Sequence, residues 1–378
     1  MNNALALDIE CCTFAKGNPY SLCGTLVSIH AYDGIQAYSY RPEDKQTIQN
    51  LVNKASTFIW FNAKFDISWL RKLGVVFPEK AKHYDVQLAH FYITNQSHPY
   101  PSLDDVAAFY KQPGKVDKVA ALWEQGIDTD AIPWDILTEY GEQDVRLTYN
   151  LYVLQQDHWN SHPKKYTLFK LACQDMLVLQ EMEWNGLYYD EELCHKKSQE
   201  LQLTIRGITD KLAGIYPSIP INFNSNDQLS SFLYGGTVTE TRKELDGFYK
   251  TGKKAGQPKF RKVEVEHILP RLFTPLPKTE MQKPGVFSTS EGTLRKLKGK
   301  HKWIVDLLLE LAKLTKLDET YYTGLTKLNK EMDWPKGFLH GQFNQCIAKT
   351  GRLSSSKPNL QNLSGDSLDV FITRYEPT

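Results

Sequence analysis

The stretch Ala4-Leu5-Ala6-Leu7-Asp8-Ile9-Glu10 constrains the fold more than any other part of this chain. Four small or apolar residues run directly into two acids separated by one apolar residue. In a strand, successive side chains point to opposite faces. Asp8 and Glu10 therefore share one face, and Leu7 and Ile9 share the other. Two neighbouring carboxylates resist joint ionisation. A hard divalent cation such as Mg²⁺ removes that resistance, because oxygen ligands are what it prefers. Asp-x-Glu alone is more often a polar strand face than a ligand pair, so the rest of the site has to come from elsewhere in the chain.

Further along, Cys23–Ala31 and Ile35–Tyr40 read as two more strands joined at Asp33-Gly34, which completes an antiparallel meander. Gln46–Lys54 reads as a helix, and Thr57–Phe61 as a short apolar strand. The latter runs into a helix with Phe65, Trp69 and Leu73 on one side. Asn62 occupies its N-cap position and Asp66 its first turn, where an acid also suits the helix dipole. Tyr84-Asp85 opens another helix, and Ser102 and Asp105 frame a capped one. A helix over Pro133–Leu154 places Tyr140 and Asp144 four apart on one face. Strands followed by helices give an α/β fold with one mixed sheet for residues 1–155. The polar, proline-containing segment His158–Lys165 reads as a linker.

The remainder reads as mostly helical: Tyr166–Trp184 ending at Gly186, Glu191–Tyr216, a capped helix after Ser225, another capped at Ser288, and a long helix or helix pair over His301–Leu328. Lys313 and Lys316 fall at the exposed edge of that last helix. Thr237–Pro284 is a basic excursion among glycines and prolines, expected to be solvated and flexible and to contact phosphates without sequence preference. Residues 338–345 alternate like a strand. Residues 350–362 are dense in amides, hydroxyls and one arginine, groups suited to minor-groove acceptors and sugars. Charge is segregated: residues 1–150 carry 13 Lys/Arg against 18 Asp/Glu, leaving 32 against 26 beyond. An acidic front and a basic back suit a metal-binding domain joined to one that binds a polyanion. The six cysteines form no Cys-x-x-Cys pair, which argues against a zinc site or disulfide framework and fits a reducing cytoplasm. No apolar run approaches the roughly 18 residues that span a bilayer.

Asp8-Ile9-Glu10, Asn62-x-x-x-Asp66 and Tyr140-x-x-x-Asp144 together resemble the three exonuclease motifs of the DEDD superfamily, the tyrosine-containing subtype. This is the ribonuclease-H-like proofreading domain of family A DNA polymerases, the DNA polymerase I type. Gly186–Asp190, Phe223-Asn224-Ser225, Phe287-Ser288-Thr289 and Lys316–Tyr321 resemble the opening and thumb of that family's polymerase domain. Thr350–Ser355 with Pro358–Asn362 resembles its primer-template contact motif.

The resemblance implies an α/β ribonuclease-H-like exonuclease domain at residues 1–157, a mixed sheet flanked by helices, and a linker at 158–165. A mainly helical thumb follows at 166–336, with the basic excursion at 237–284, and an incomplete α+β palm at 337–378. It implies that Asp8, Glu10, Asp66 and Asp144 hold two Mg²⁺ ions, or Mn²⁺, for hydrolysis of 3′-terminal phosphodiesters, with Tyr140 orienting the attacking water. Asn62 and Asp85 support them, Asn62 as a cap. Arg352, Asn359, Gln361, Asn362, Lys316, Lys253 and Lys254 are expected to contact DNA, both a single-stranded 3′ end and a primer-template duplex. The family's catalytic palm strand, fingers helix and His-Asp-Glu turn do not follow, and Val370-Phe371-Ile372 reads as a palm strand with an open edge. The expectation is a proofreading exonuclease, of bacteriophage type and in the host cytoplasm, that synthesises DNA only with a second chain supplying palm and fingers. The alternatives are a stand-alone DEDD exonuclease and a non-catalytic DNA-binding or assembly subunit.

Overall fold

The computed structural model describes residues 3–114, 118–251, 254 and 256–373. They fall into two compact units. One comprises the residues up to Leu193 together with those from Gly324 on, and the other is Cys194–Thr323.

The first unit is built on a five-stranded sheet. Its strands are β1 (Ala4–Cys11), β2 (Leu26–Tyr32), β3 (Ala37–Tyr40), then after helix α1 (Lys45–Lys54) β4 (Thr57–Trp60), and after helix α2 (Ala63–Leu73) β5 (Lys82–Asp85). The order is β3-β2-β1-β4-β5, with β1 at the centre. β1 pairs antiparallel with β2, placing Asp8 opposite His30 and Glu10 opposite Ser28. It pairs in parallel with β4 only through Ala4–Ala6. Helices α3 (Val86–Ile93), α4 (Leu103–Phe109), α5 (Lys118–Glu124), α6 (Trp134–Ser161) and α7 (Pro163–Asn185) follow. Leu5, Leu7 and Ile9 pack with Ile48 and Val52 of α1 and Ile67 and Leu70 of α2. Ala4 and Ala6 pack on the other side with Val145 and Leu151 of α6 and Phe169 of α7. The alternation of the first strand thus becomes two separate apolar layers, each excluding water from one sheet face. Strand β6 (Leu187–Tyr188) closes this stretch.

The second unit holds most of α8 (Glu191–Ala213), then α9 (Asn226–Tyr234), β7 (Gly236–Phe248), β8 (Pro258–Leu269), α10 (Glu291–Leu294) and α11 (Lys302–Leu317). Its core gathers Leu212, Phe232, Leu233, Val238, Leu269, Ile304 and Leu308. The chain returns to the first unit with α12 (Thr323–Glu331), β9 (Phe338–Leu339), β10 (Gln342–Asn344) and β11 (Ser354–Ser356).

Several sequence expectations are corrected here. Tyr84 and Asp85 end strand β5, held by parallel pairing with Ile59 and Trp60, and the expected helix starts directly after them, with Asp85 as the N-cap of α3. Tyr84 also donates to Gln155 at 2.9 Å and accepts from Trp159 at 2.7 Å. Residues 158–165 are not an extended linker. α6 continues to Ser161, His162 is the break, and Pro163 opens α7 at a position where its missing N–H costs nothing. Trp159, stacked on Phe169 at 5.0 Å, keeps this junction in the core. The excursion at 237–284 contains a long hairpin of β7 and β8, paired from Gly236↔Leu269 to Phe248↔Pro258. Of the two alternatives for 301–328, the helix pair is the one formed: α11 and α12 are joined by a π turn at Asp318–Tyr322, where buried Asp318 accepts from Gln202 at 2.6 Å. The helix expected to be capped at Ser288 starts after Ser290. Residues 338–345 form two short strands split at His340-Gly341. Val370 ends a 3₁₀ turn, and Phe371 bridges Tyr189. Val370 O accepts from Asp190 N at 2.8 Å and Ile372 N donates to Tyr188 O at 3.2 Å, so this edge is paired within the chain. Among the described residues no helix is long and apolar enough to cross a membrane.

A buried ion pair fastens β10 to α2 and α7. The Lys64 ammonium contacts both the Glu183 carboxylate and the Phe343 carbonyl, and Glu183 Oε1 also accepts from Phe343 N at 2.7 Å. The two side chains are 15% and 6% exposed. Removing one partner of such a pair leaves an uncompensated buried charge and costs about 3 kcal/mol or more. Lys64→Met is therefore expected to lower stability by about that amount, read as the shift in urea midpoint. A shift below about 1 kcal/mol would show that the pair is solvated.

Candidate functional site

Asp8 and Glu10 lie on the face of β1 covered by α6. The small side chains Ala4 and Ala6 on that face let the helix come close. Gly141 of α6 sets the closest approach: a Cβ there would lie 2.1 Å from the His30 ring. His30 is the residue opposite Asp8 on β2. It is fully buried and held rigidly, with Nε2 2.8 Å from Ser28 Oγ and Nδ1 2.9 Å from Ser39 Oγ. Burial lowers its pKa to about 4, so near neutrality it adds no positive charge beside the acids. Three residues beyond Gly141, α6 delivers Asp144, itself buried. Carboxylate oxygens of Asp8, Glu10 and Asp144 all lie within 4.8 Å of one another.

Asp66 approaches from α2. β1 parts from β4 after Ala6, and Asp66 Oδ1 accepts from Ile9 N in that gap at 3.2 Å. It is 3% exposed. Burial, and next the negative charge of Asp8, push its carboxyl well above the ordinary range, against the opposing Ile9 hydrogen bond. Asp66 thus adjoins the cluster but points one oxygen at the backbone. Asp85 is a structural hinge of the site: Oδ2 accepts from Ala63 N at 2.7 Å and Oδ1 from Leu88 N at 2.8 Å. One carboxylate caps the first turns of both α2 and α3. Asn62 holds the N-cap position of α2 in the left-handed region, φ 66°, but its side chain makes no cap bond, and Asp85 serves there instead. Tyr140 lies one turn before Asp144, half-buried and edge-on to Trp123 at 6.1 Å. A cavity of about 100 Å³ opens at the head of α2, lined in part by Lys16, Tyr20, Asn62, Phe65 and Lys357.

The donor set is all oxygen and negatively charged, with one oxygen from each of three acids gathered within 4.8 Å. It fits a hard divalent cation, Mg²⁺ or Mn²⁺, and disfavours softer metals that seek nitrogen or sulfur.

Arg352, Asn359, Gln361 and Asn362 are all exposed along residues 351–362. Asn359 also caps the 3₁₀ turn Leu360–Asn362, accepting from Gln361 N at 3.1 Å. Lys316 is exposed on α11, and Lys254 lies in the turn between β7 and β8. Lys253 lies outside the described residues. Sequence reasoning missed Gly141, His30, Lys64 and Glu183. A glycine in mid-helix is itself a signal of close approach, whereas nothing local marks the ion pair.

Gly141→Ala tests the approach. In a free helix the change would stabilise by about 1 kcal/mol. Against His30 it is expected to destabilise by roughly 2 kcal/mol and to weaken divalent-cation binding, measured by thermal unfolding and calorimetry. A raised melting temperature would overturn the assignment.

Residues 5–156 match the RNase_H superfamily and residues 262–374 match DNA polymerase family A. DNA polymerase I of Bacillus subtilis is 29% identical over 307 residues, covering 80% of this chain and 29% of the relative. The thermostable DNA polymerase I of Thermus filiformis is 35% identical over 189 residues, covering 49% of this chain and 17% of the relative. The chain thus spans less than a third of the length of these curated relatives. A solved structure described as the POL domain of Pol1 from M. smegmatis in complex with DNA primer-template and dNTP superposes with a TM-score of 0.70. It covers 98% of this chain and 55% of that one at 17% identity, a likeness of fold. The chain is therefore a relative of the family A DNA polymerases, of the DNA polymerase I type, with an RNase H-superfamily domain ahead of polymerase-family sequence.

Proposed function

We propose that this chain is a 3′–5′ exonuclease that removes nucleotides, mismatched ones included, from DNA 3′ ends. The observation that carries the reading is the convergence of Asp8, Glu10 and Asp144 from β1 and α6, with Asp66 beside them. These four carboxylates would hold two divalent cations, which when bound would supply a water of lowered pKa and neutralise charge at the phosphate. Asp8, Glu10 and Asp144 position those charges rigidly because each sits on a regular element. The Tyr140 hydroxyl, one turn from Asp144, orients the attacking water. Asp85 keeps α2, and with it Asp66, in register with β1. No carboxylate acts as a nucleophile.

The basic part of the chain binds the substrate. Residues 194–323 correspond to a thumb, and residues 337–373 to part of a palm. Arg352, Asn359, Gln361 and Asn362 meet minor-groove acceptors of a primer-template, Lys316 meets its phosphates, and Lys254 meets phosphates of unpaired DNA.

The test is shortening of a 5′-labelled single-stranded oligonucleotide in Mg²⁺. Asp8→Asn and Asp144→Asn are each expected to reduce the rate by roughly 10³-fold while the circular dichroism spectrum stays unchanged. Full activity in either variant would sink the assignment. Tyr140→Phe is expected to retain metal binding and lose about tenfold in rate. Chelation with EDTA should abolish shortening, and added Mg²⁺ should restore it. Activity that persists after chelation would rule out the carboxylate site as a metal centre.

A further inference from the structure

The hairpin of β7 and β8 is anchored only at its base, where Val238 and Leu269 are buried. Every described residue from Thr241 to Lys262 is exposed. Charge is divided along it. Residues 242–262 carry eight Lys/Arg and only two acids, Glu244 and Asp246, while the base holds Glu240, Glu264 and Glu266 and no Lys or Arg.

The two faces also differ. Arg242, Lys259 and Arg261 each pair with a carboxylate, Glu240 at 2.7 Å, Asp246 at 2.8 Å and Glu244 at 3.6 Å. Lys243 and Lys262 stand directly opposite each other across the ladder, and neither makes an ion pair with a described residue. Like charges so placed destabilise a hairpin, and a two-stranded hairpin without a core is marginal already. The next pair outward on the same face is Leu245 and Phe260, 57% and 55% exposed. Beyond it lie exposed Phe248, Tyr249, Lys250 and Lys254, with the Lys254 ammonium 6.0 Å from the Tyr249 ring. Unpaired cations in register with uncovered rings suit a strand whose phosphates are charged and whose bases are unstacked. A duplex offers the phosphates without free base faces.

We propose that the outer half of this hairpin is a binding surface for single-stranded DNA, with Lys243 and Lys262 taking phosphates and Phe260 stacking a base. The inference rests on the DNA-directed reading above but not on hydrolysis, because binding can be measured without metal. The experiment is fluorescence anisotropy of a labelled 20-nucleotide oligothymidylate with the full chain in EDTA, across a salt series. Lys243→Gln with Lys262→Gln is expected to weaken binding about tenfold and to make the salt slope shallower by about 1.4, two single-strand phosphates' worth. The same pair of changes relieves the like-charge opposition, so thermal stability should hold or rise, which separates lost contacts from lost folding. Phe260→Ala is expected to weaken binding about tenfold with the salt slope unchanged. Binding to a 20-base-pair duplex should change less than twofold in every variant. Unchanged affinity and slope on the single strand would overturn the proposal and leave the apolar tip to a protein partner. Equal losses on duplex and single strand would overturn it in favour of a duplex surface.

Discussion

The site depends on how closely one helix can approach one pair of strands. Asp144 reaches Asp8 and Glu10 because α6 lies almost in contact with β2, and it does so because residue 141 has no side chain to meet the His30 ring. Helix and sheet normally pack through a layer of interdigitating side chains. Here that layer is thinned at one point to glycine on one side and an imidazole on the other, with alanines at positions 4 and 6 beside it. His30 must be neutral and fixed for this to work, and its two serine partners and its burial provide both conditions. The glycine forgoes helix propensity to set a distance, so local stability is given up where the chemistry requires proximity.

The same proximity creates an electrostatic conflict. Asp66 is buried next to Asp8 and its proton is held more tightly than an exposed aspartate's. Without a compensating cation the ionised cluster opposes folding, so cation binding and folding favour each other by linkage. The backbone moderates the conflict through the N–H groups offered to Asp66 and Asp85, which are charge-assisted donors at the start of helices or at the end of a strand pairing.

Much of this was legible in the sequence. The alternation of residues 4–10 placed two acids on one face, and the four-residue spacing of Tyr140 and Asp144 placed those two on another, because both signals are purely local periodicities. The position of Asp66 in a first helical turn was legible for the same reason. What was not legible depends on partners distant in the chain. The helix that opens at Asp85 is legible, but the pairing of Tyr84 and Asp85 with β4 just before it is not. Asn62 has the residue type of a cap, but an acid 23 positions later takes the role. The segment at 158–165 has a linker's composition, and only the burial of Trp159 against Phe169 reveals a helical junction. The lysines among glycines and prolines at 237–284 read as a flexible excursion, although the Thr-Val-Thr and Val-Glu-Val runs at the base of the hairpin alternate as strands do.

The compact units also differ from the order of the sequence matches. Residues that match the polymerase family contribute to the same unit as the RNase H-superfamily match. Asp333 accepts from Ser21 Oγ at 2.7 Å and Cys23 N at 2.8 Å, and Asn18 donates to Met332 O at 3.0 Å. These bonds hold the loop between β1 and β2. Lys64, two residues before Asp66, is fixed by Glu183 and by the backbone of Phe343. Both flanks of the carboxylate cluster therefore take support from residues some 300 positions downstream. Dividing the chain after α6 would leave buried Lys64 without its carboxylate and carbonyl partners and Asn18 without its acceptor, and each buried polar group so left costs stability. Residues 332–343 and the RNase H-superfamily domain are therefore held together within one compact unit. A boundary drawn from motif order alone cuts through the interactions that position the site.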